Sequence, residues 1–181
     1  MYLISLLTGL LMFFSSSSTT AFKNIPANKK ESTLTYHMVH PLHSWDGISR
    51  DVQGVLQYDD ATKKIAKVAI LAKVSSFDSK NSNRDSHMLE VTEGLKYPNV
   101  TFSSTSVTEN GNKLNVKGLL TFHGVTKEIS FVATQKDIKQ EKVVDGSFTV
   151  LLEDFKITRP SLMMMPVENE MKIDFHMAFP G

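Results

Sequence analysis

Met171-Lys172-Ile173-Asp174-Phe175-His176-Met177-Ala178-Phe179 carries a large apolar side chain at every second position. Lys172, Asp174, His176 and Ala178 stand between them. Successive side chains of an extended strand point to opposite faces, so this segment reads as a strand with one face in a core. A helix would need its apolar positions three and four apart. The same period of two recurs upstream. Leu34, Tyr36 and Met38 alternate with Thr35 and His37, and Val52, Gly54, Leu56 and Tyr58 alternate with Gln53, Val55 and Gln57. Ala66, Val68, Ile70, Ala72 and Val74 form a third face, and Val100 and Phe102 open a fourth strand. Leu114, Val116, Gly118, Leu120 and Phe122 follow, then Ile129, Phe131 and Ala133. Val144, Gly146, Phe148, Val150 and Leu152 precede the last strand, which makes eight.

Most connectors are short and polar, such as Asp59 to Lys64 and Glu109-Asn110-Gly111-Asn112, where Asn-Gly favours a tight turn. Hairpin links between consecutive strands predict an all-β fold, an eight-stranded antiparallel up-and-down barrel. Two connections are longer. A short helix is expected at 82–91, after the third strand, with Ser82 or Asn83 as its cap. A helical turn is expected at Glu153–Lys156, before the eighth strand, followed by the Arg159-Pro160 break and Leu162-Met163-Met164-Met165.

Composition closes several classes of function. The 181 residues hold no cysteine, which excludes disulfides, Cys-ligated zinc and thiol nucleophiles. Twenty basic against nineteen acidic residues leave a net charge of +1, without the clustered excess that a nucleic-acid partner requires. At the start, Tyr2 to Phe14 are apolar except Ser5, Thr8 and Gly9, and small Ser, Thr and Ala residues run to Ala21. That run is short for a membrane span, and residues 1–21 read as a signal peptide cut near Ala21. The expected organisation is therefore signal peptide 1–21, flexible leader 22–33 and a barrel domain 34–181, periplasmic or secreted.

Several short motifs lie in order along the barrel. Ser76-Phe77-Asp78-Ser79 is followed by Asn83-Arg84-Asp85-Ser86-His87, then by Lys96-Tyr97-Pro98-Asn99-Val100-Thr101-Phe102. Val116-Lys117-Gly118 runs on to Phe122-His123-Gly124-Val125-Thr126-Lys127, and Asp154-Phe155-Lys156-Ile157 comes later. Together these resemble the YceI-like family over roughly residues 34–179. The resemblance implies an exported, lipocalin-like barrel, and structurally known relatives of that family hold a polyisoprenoid chain inside. The sequence departs from the family pattern at Val91–Leu95, at the His40–Gly47 hairpin and at Lys156, which replaces a glycine.

For an enzyme the chemistry is thin. Arg84, Asp85 and His87 sit near a helix start and, with Tyr97 and Pro98, read as structural motif residues rather than catalytic ones. There is no Gly-x-Ser-x-Gly elbow. His40 and His43, three apart on a strand, face opposite sides, so no metal site is assigned and no cofactor is called for. A ligand cavity is the better expectation. Its candidate lining is the inward face: Tyr36, Met38, Leu56 and Tyr58; Val68, Ile70 and Phe102; Val116, Gly118, Leu120 and Phe131; Gly146, Phe148 and Val150; Ile173, Phe175 and Met177. Met164 joins them from the long loop, as an adaptable thioether or as a plug. The expected partner is an apolar lipid such as a polyisoprenoid. The alternative is a ligand-free barrel acting as an interaction or stress-response module beside a membrane-associated partner.

Overall fold

A computed structural model describes residues 22–181, so the expected signal peptide at residues 1–21 lies outside the described residues. In chain order the strands are β1 (Phe22–Pro26), β2 (Thr33–His40), β3 (His43–Ser49), β4 (Val52–Asp59), β5 (Lys64–Lys73), β6 (Phe77–Asp78) and β7 (Asn99–Asn110). After them come β8 (Lys113–Phe122), β9 (Val125–Ile138), β10 (Glu141–Leu151), β11 (Ser161–Leu162), β12 (Met165–Pro166) and β13 (Glu170–Pro180). The helix α1 spans Ser82–Val91, as the sequence predicts. A 3-10 turn at Glu153–Phe155 occupies the predicted helical turn.

Eleven strands form one antiparallel sheet in the order β1-β4-β5-β7-β8-β9-β10-β13-β2-β3-β6. The eight periodic segments are β2, β4, β5, β7, β8, β9, β10 and β13, and they supply its body. The sheet curls into a lipocalin-like barrel whose inward face holds the buried residues, among them Tyr36, Leu56, Val116, Val150, Met177 and Phe179. The hairpin turns at 59–64, 111–112 and 139–140 lie at one end. At the other end lie α1, the β2–β3 turn, the β8–β9 turn and the long segment 152–169.

Four features depart from the sequence reading. The expected flexible leader is a strand and a seam: β1 pairs with β4 from Phe22↔Asp59 to Pro26↔Val55. Beyond it the Ala27 amide donates to the Gly54 carbonyl at 2.8 Å, and the Asn28 amide to the Ala178 carbonyl at 2.8 Å. The chain thus bridges β4 and β13, where open sheet edges would leave backbone groups unpaired. β3 was hidden because its inward positions are Trp45, Gly47 and Ser49, which give no apolar period; it pairs with β2 from Leu34↔Ser49 to His40↔His43. A register shift at Gln57/Tyr58 pairs Tyr58 with Ile65, so Ile65 rather than Ala66 is buried. The cap of α1 is Asn81, whose side chain accepts the Arg84 amide at 3.1 Å.

Candidate ligand-binding site

Alternation delivers one side chain in two to the barrel interior, and most of those side chains are apolar. The interior encloses a cavity of about 230 Å³ that reaches from Ile65, Val107 and Leu114 near the hairpin-turn end to Met88, Val91 and Val167 at the helix end. Aromatic rings cluster on its wall. Phe131 lies 5.3 Å from Phe148, 5.4 Å from Phe175 and 5.5 Å from Phe102, centre to centre.

Most of the predicted lining is there. Tyr36, Met38, Leu56, Val68, Ile70, Phe102 and Val116 all border the cavity, as do Leu120, Phe131, Phe148, Val150, Ile173, Phe175 and Met177. Four predicted residues do not. Tyr58 lies past the register shift, with the Lys142 ammonium 6.0 Å from its ring centre. Gly118 and Gly146 face inward, but the space above them is taken by the rings of Phe102 and Phe175. Met164 caps nothing: it stands 96% exposed at the tip of the β11–β12 hairpin.

Sequence reasoning missed the residues of the helix end. Trp45, Phe77, Met88, Val91, Ile157 and Val167 border the cavity from elements with no strand periodicity. Arg84 and His87 also meet the cavity at this end. Arg84 donates from Nε to Ser79 Oγ at 2.9 Å and from Nη2 to the Ser79 carbonyl at 3.0 Å, with its guanidinium 5.1 Å from the Trp45 ring centre. Asp85 accepts from the Ser79 amide at 3.1 Å and from its hydroxyl at 2.5 Å. These contacts match a structural role: they tie the loop before α1 to its first turn. His87 is exposed beside Glu90, at 3.3 Å. Tyr97 packs edge-on against His123 at 4.9 Å, and the Pro98 carbonyl accepts the Val74 amide at 2.9 Å. Burial pushes the Tyr36 phenol above its ordinary 10.0, which keeps it a neutral hydroxyl on the cavity wall.

His40 is buried and fully used. Its Nδ1 accepts the Leu42 amide at 3.2 Å, so its Nε2 donates to the Met165 carbonyl at 3.0 Å. His43 does not face the opposite side, as one continuous strand would place it: the chain turns between the two, so His43 pairs with His40 across the β2–β3 turn with the rings 5.4 Å apart, and stacks on Trp45 at 5.2 Å. Among the described residues no cluster of three or more His, Asp or Glu side chains is placed to hold a metal ion. The arrangement can exclude water from an apolar chain; it presents no hydrogen-bonded nucleophile and base to one.

Comparison with known proteins agrees with this geometry. A family model described as YceI-like domain matches residues 26–179. Protein YceI of Escherichia coli O157:H7 is 31% identical over 134 residues, which cover 72% of this chain and 70% of that protein. The crystal structure of BcnA from Burkholderia cenocepacia superposes with a TM-score of 0.75 at 21% identity, covering 84% of this chain and 98% of that one. A polyisoprenoid binding domain from Saccharophagus degradans superposes with a TM-score of 0.71 at 14% identity, covering 90% and 99%.

Proposed function

The chain belongs to the YceI-like family, and from that membership we propose that it holds a long apolar chain of isoprenoid type inside its barrel and carries it through an aqueous compartment. The observation that carries this reading is the cavity wall, almost wholly apolar, with Arg84 and His87 meeting it at the helix end. Each CH₂ removed from water contributes about 0.8 kcal/mol, so ten buried carbons supply about 8 kcal/mol without any charged anchor. Part of that offsets the lost freedom of a flexible ligand. The Saccharophagus degradans neighbour, described as a polyisoprenoid binding domain, supports the ligand class.

The role is binding rather than catalysis. Export belongs to the same reading, and cleavage after Ala21 would keep Phe22–Pro26, which pair with β4, on the mature protein. Native mass spectrometry of gently purified protein, followed by lipid extraction, tests the proposal. A co-purifying apolar chain is expected, together with an N-terminus near Phe22. One observation favours the second reading, a packed barrel acting as an interaction module. The cavity of about 230 Å³ is smaller than most ligand sites, which span roughly 300–1,000 Å³. Protein that repeatedly arrives empty, and stays empty when offered isoprenoid lipids, would decide for that reading.

A further inference from the structure

At the helix end two neighbouring turns form an uncharged lip. Residues 39–45 around the β2–β3 turn contain no Asp, Glu, Lys or Arg, and neither do residues 160–167 around the β11–β12 turn. The turns are fastened together: His40 donates to the Met165 carbonyl at 3.0 Å, and the Glu168 amide to the Val39 carbonyl at 2.8 Å. Yet their tips are bare. Leu42 is 58% exposed, Leu162 51%, Met163 73% and Met164 96%. Large apolar side chains clustered in water are unusual unless a surface covers them.

The backbone of the second turn adds an independent observation. Leu162 pairs with Met165 across a two-residue turn, and both central residues have positive φ, 52° at Met163 and 64° at Met164. Turns of that kind favour Asn, Asp and Gly, which tolerate left-handed backbone. Here they hold two methionines. The turn keeps side chains that its own geometry disfavours, and those side chains project outward rather than toward the core.

The geometry points to a lipid bilayer as the occupant of this lip. Flexible thioethers suit the disordered acyl boundary, and an uncharged tip brings no ion that would have to shed its water on entering it. The His43–Trp45 stack beside the lip is the amphipathic aromatic kind that settles at headgroup depth. Position matters too. Trp45, Pro160 and Val167, at the feet of the two turns, border the cavity. A bilayer on the lip would meet the barrel where an apolar chain enters or leaves, a consequence that rests on the ligand reading above.

The test is flotation of the purified, processed protein with phosphatidylcholine vesicles, at low and high salt. The natural chain should float with the vesicles and show little dependence on salt, because the lip is uncharged. Met163→Asn combined with Met164→Asp should lower vesicle binding about tenfold or more. Its melting temperature should stay the same or rise, since both new residues accept the left-handed backbone. Leu42→Ser should weaken flotation in the same direction, and Leu119→Ser, exposed on the outer face of β8, should leave it unchanged. Vesicle binding equal to the natural chain in the double variant would overturn the proposal, as would failure of the natural chain to float. A dimer in solution that the double variant abolishes, with flotation unaffected, would make the lip a contact between copies and overturn it equally. Binding of the apolar fluorophore diphenylhexatriene without vesicles separates the two readings. If it binds both proteins while flotation is lost in the variant, docking and ligand binding both stand. If it binds neither while flotation is still lost, docking stands and the ligand reading falls.

Discussion

Gly146 and Gly118 both face the interior without a side chain, for different reasons. A Cβ on Gly146 would run into the ring of Phe175, its direct partner across β10 and β13, and would sit 3.2 Å from the Ala133 Cβ. A Cβ on Gly118 would meet the Phe102 ring at 2.5 Å and also the Ser103 carbonyl oxygen at 2.5 Å. A ring can be exchanged; a main-chain oxygen cannot. Gly146→Ala should therefore destabilise by about 1–3 kcal/mol in urea titrations, and Phe175→Leu in the same chain should recover much of the loss. Gly118→Ala should destabilise at least as much, without recovery by Phe102→Leu. Equal recovery in both pairs would mean that the rings alone require the glycines. Small residues on these faces were legible in the sequence, but their occupant was not. Period two says which side a glycine faces; only cross-strand register says that an aromatic ring fills the gap. Lys156 shows the opposite case. Its φ of 57° closes the Glu153–Phe155 turn in left-handed backbone, the conformation that a glycine adopts freely. The family pattern has glycine at this position, so Lys156→Gly should raise stability by about 1 kcal/mol by thermal melting. A lower melting temperature would show that the lysine side chain contributes more than its backbone strain costs.

Elements were legible where they bury an apolar face and obscure where an edge holds them. β8 and β13 announce themselves through Leu114 to Phe122 and Met171 to Phe179. β1, with Phe22-Lys23-Asn24-Ile25-Pro26, is too short to show a period, and it exists because β4 offers an unpaired edge. Its continuation ends on Ser32, fully buried, whose hydroxyl accepts the Ala178 amide at 3.1 Å. Ser32→Ala would leave that amide buried and unpartnered, which costs about 1–3 kcal/mol. Denaturant midpoints of Ser32→Ala and the natural chain measure it, and an unchanged midpoint would show that the seam is dispensable. The helix α1 depends on polar fastening as well. None of its residues is buried, so packing alone holds it weakly, while Asp85 and Arg84 converge on Ser79. Asp85→Ala should speed amide exchange across Ser82–Val91 much more than in β8 or β13. Uniform acceleration throughout the barrel would mean that the loop and the sheet open as one unit.

For the molecule as a whole, the question is whether the space inside the barrel is kept open for a guest or is an imperfection of packing. Val116 gives a direct test, because it is buried on β8, borders the cavity and is not a glycine seat for a neighbouring ring. Val116→Phe pushes an added ring toward a cavity of about 230 Å³. In a well-packed core, added atoms force off-rotamer side chains and cost about 1–3 kcal/mol. In an open cavity they gain contacts that the empty space lacked, so stability should hold or rise. The two properties should then move apart: melting temperature level or higher, and a co-purified apolar chain or bound fluorophore lost because its volume is taken. Asn115→Phe, at the adjacent outward-facing position of the same strand, should affect neither interior filling nor ligand. If Val116→Phe instead lowers stability and leaves ligand content as it was, the guest does not occupy the middle of the barrel. The rings of Phe102, Phe131, Phe148 and Phe175 would then be a finished core, and the helix-end portion between Trp45, Met88 and Val167 would be the part left to receive a ligand.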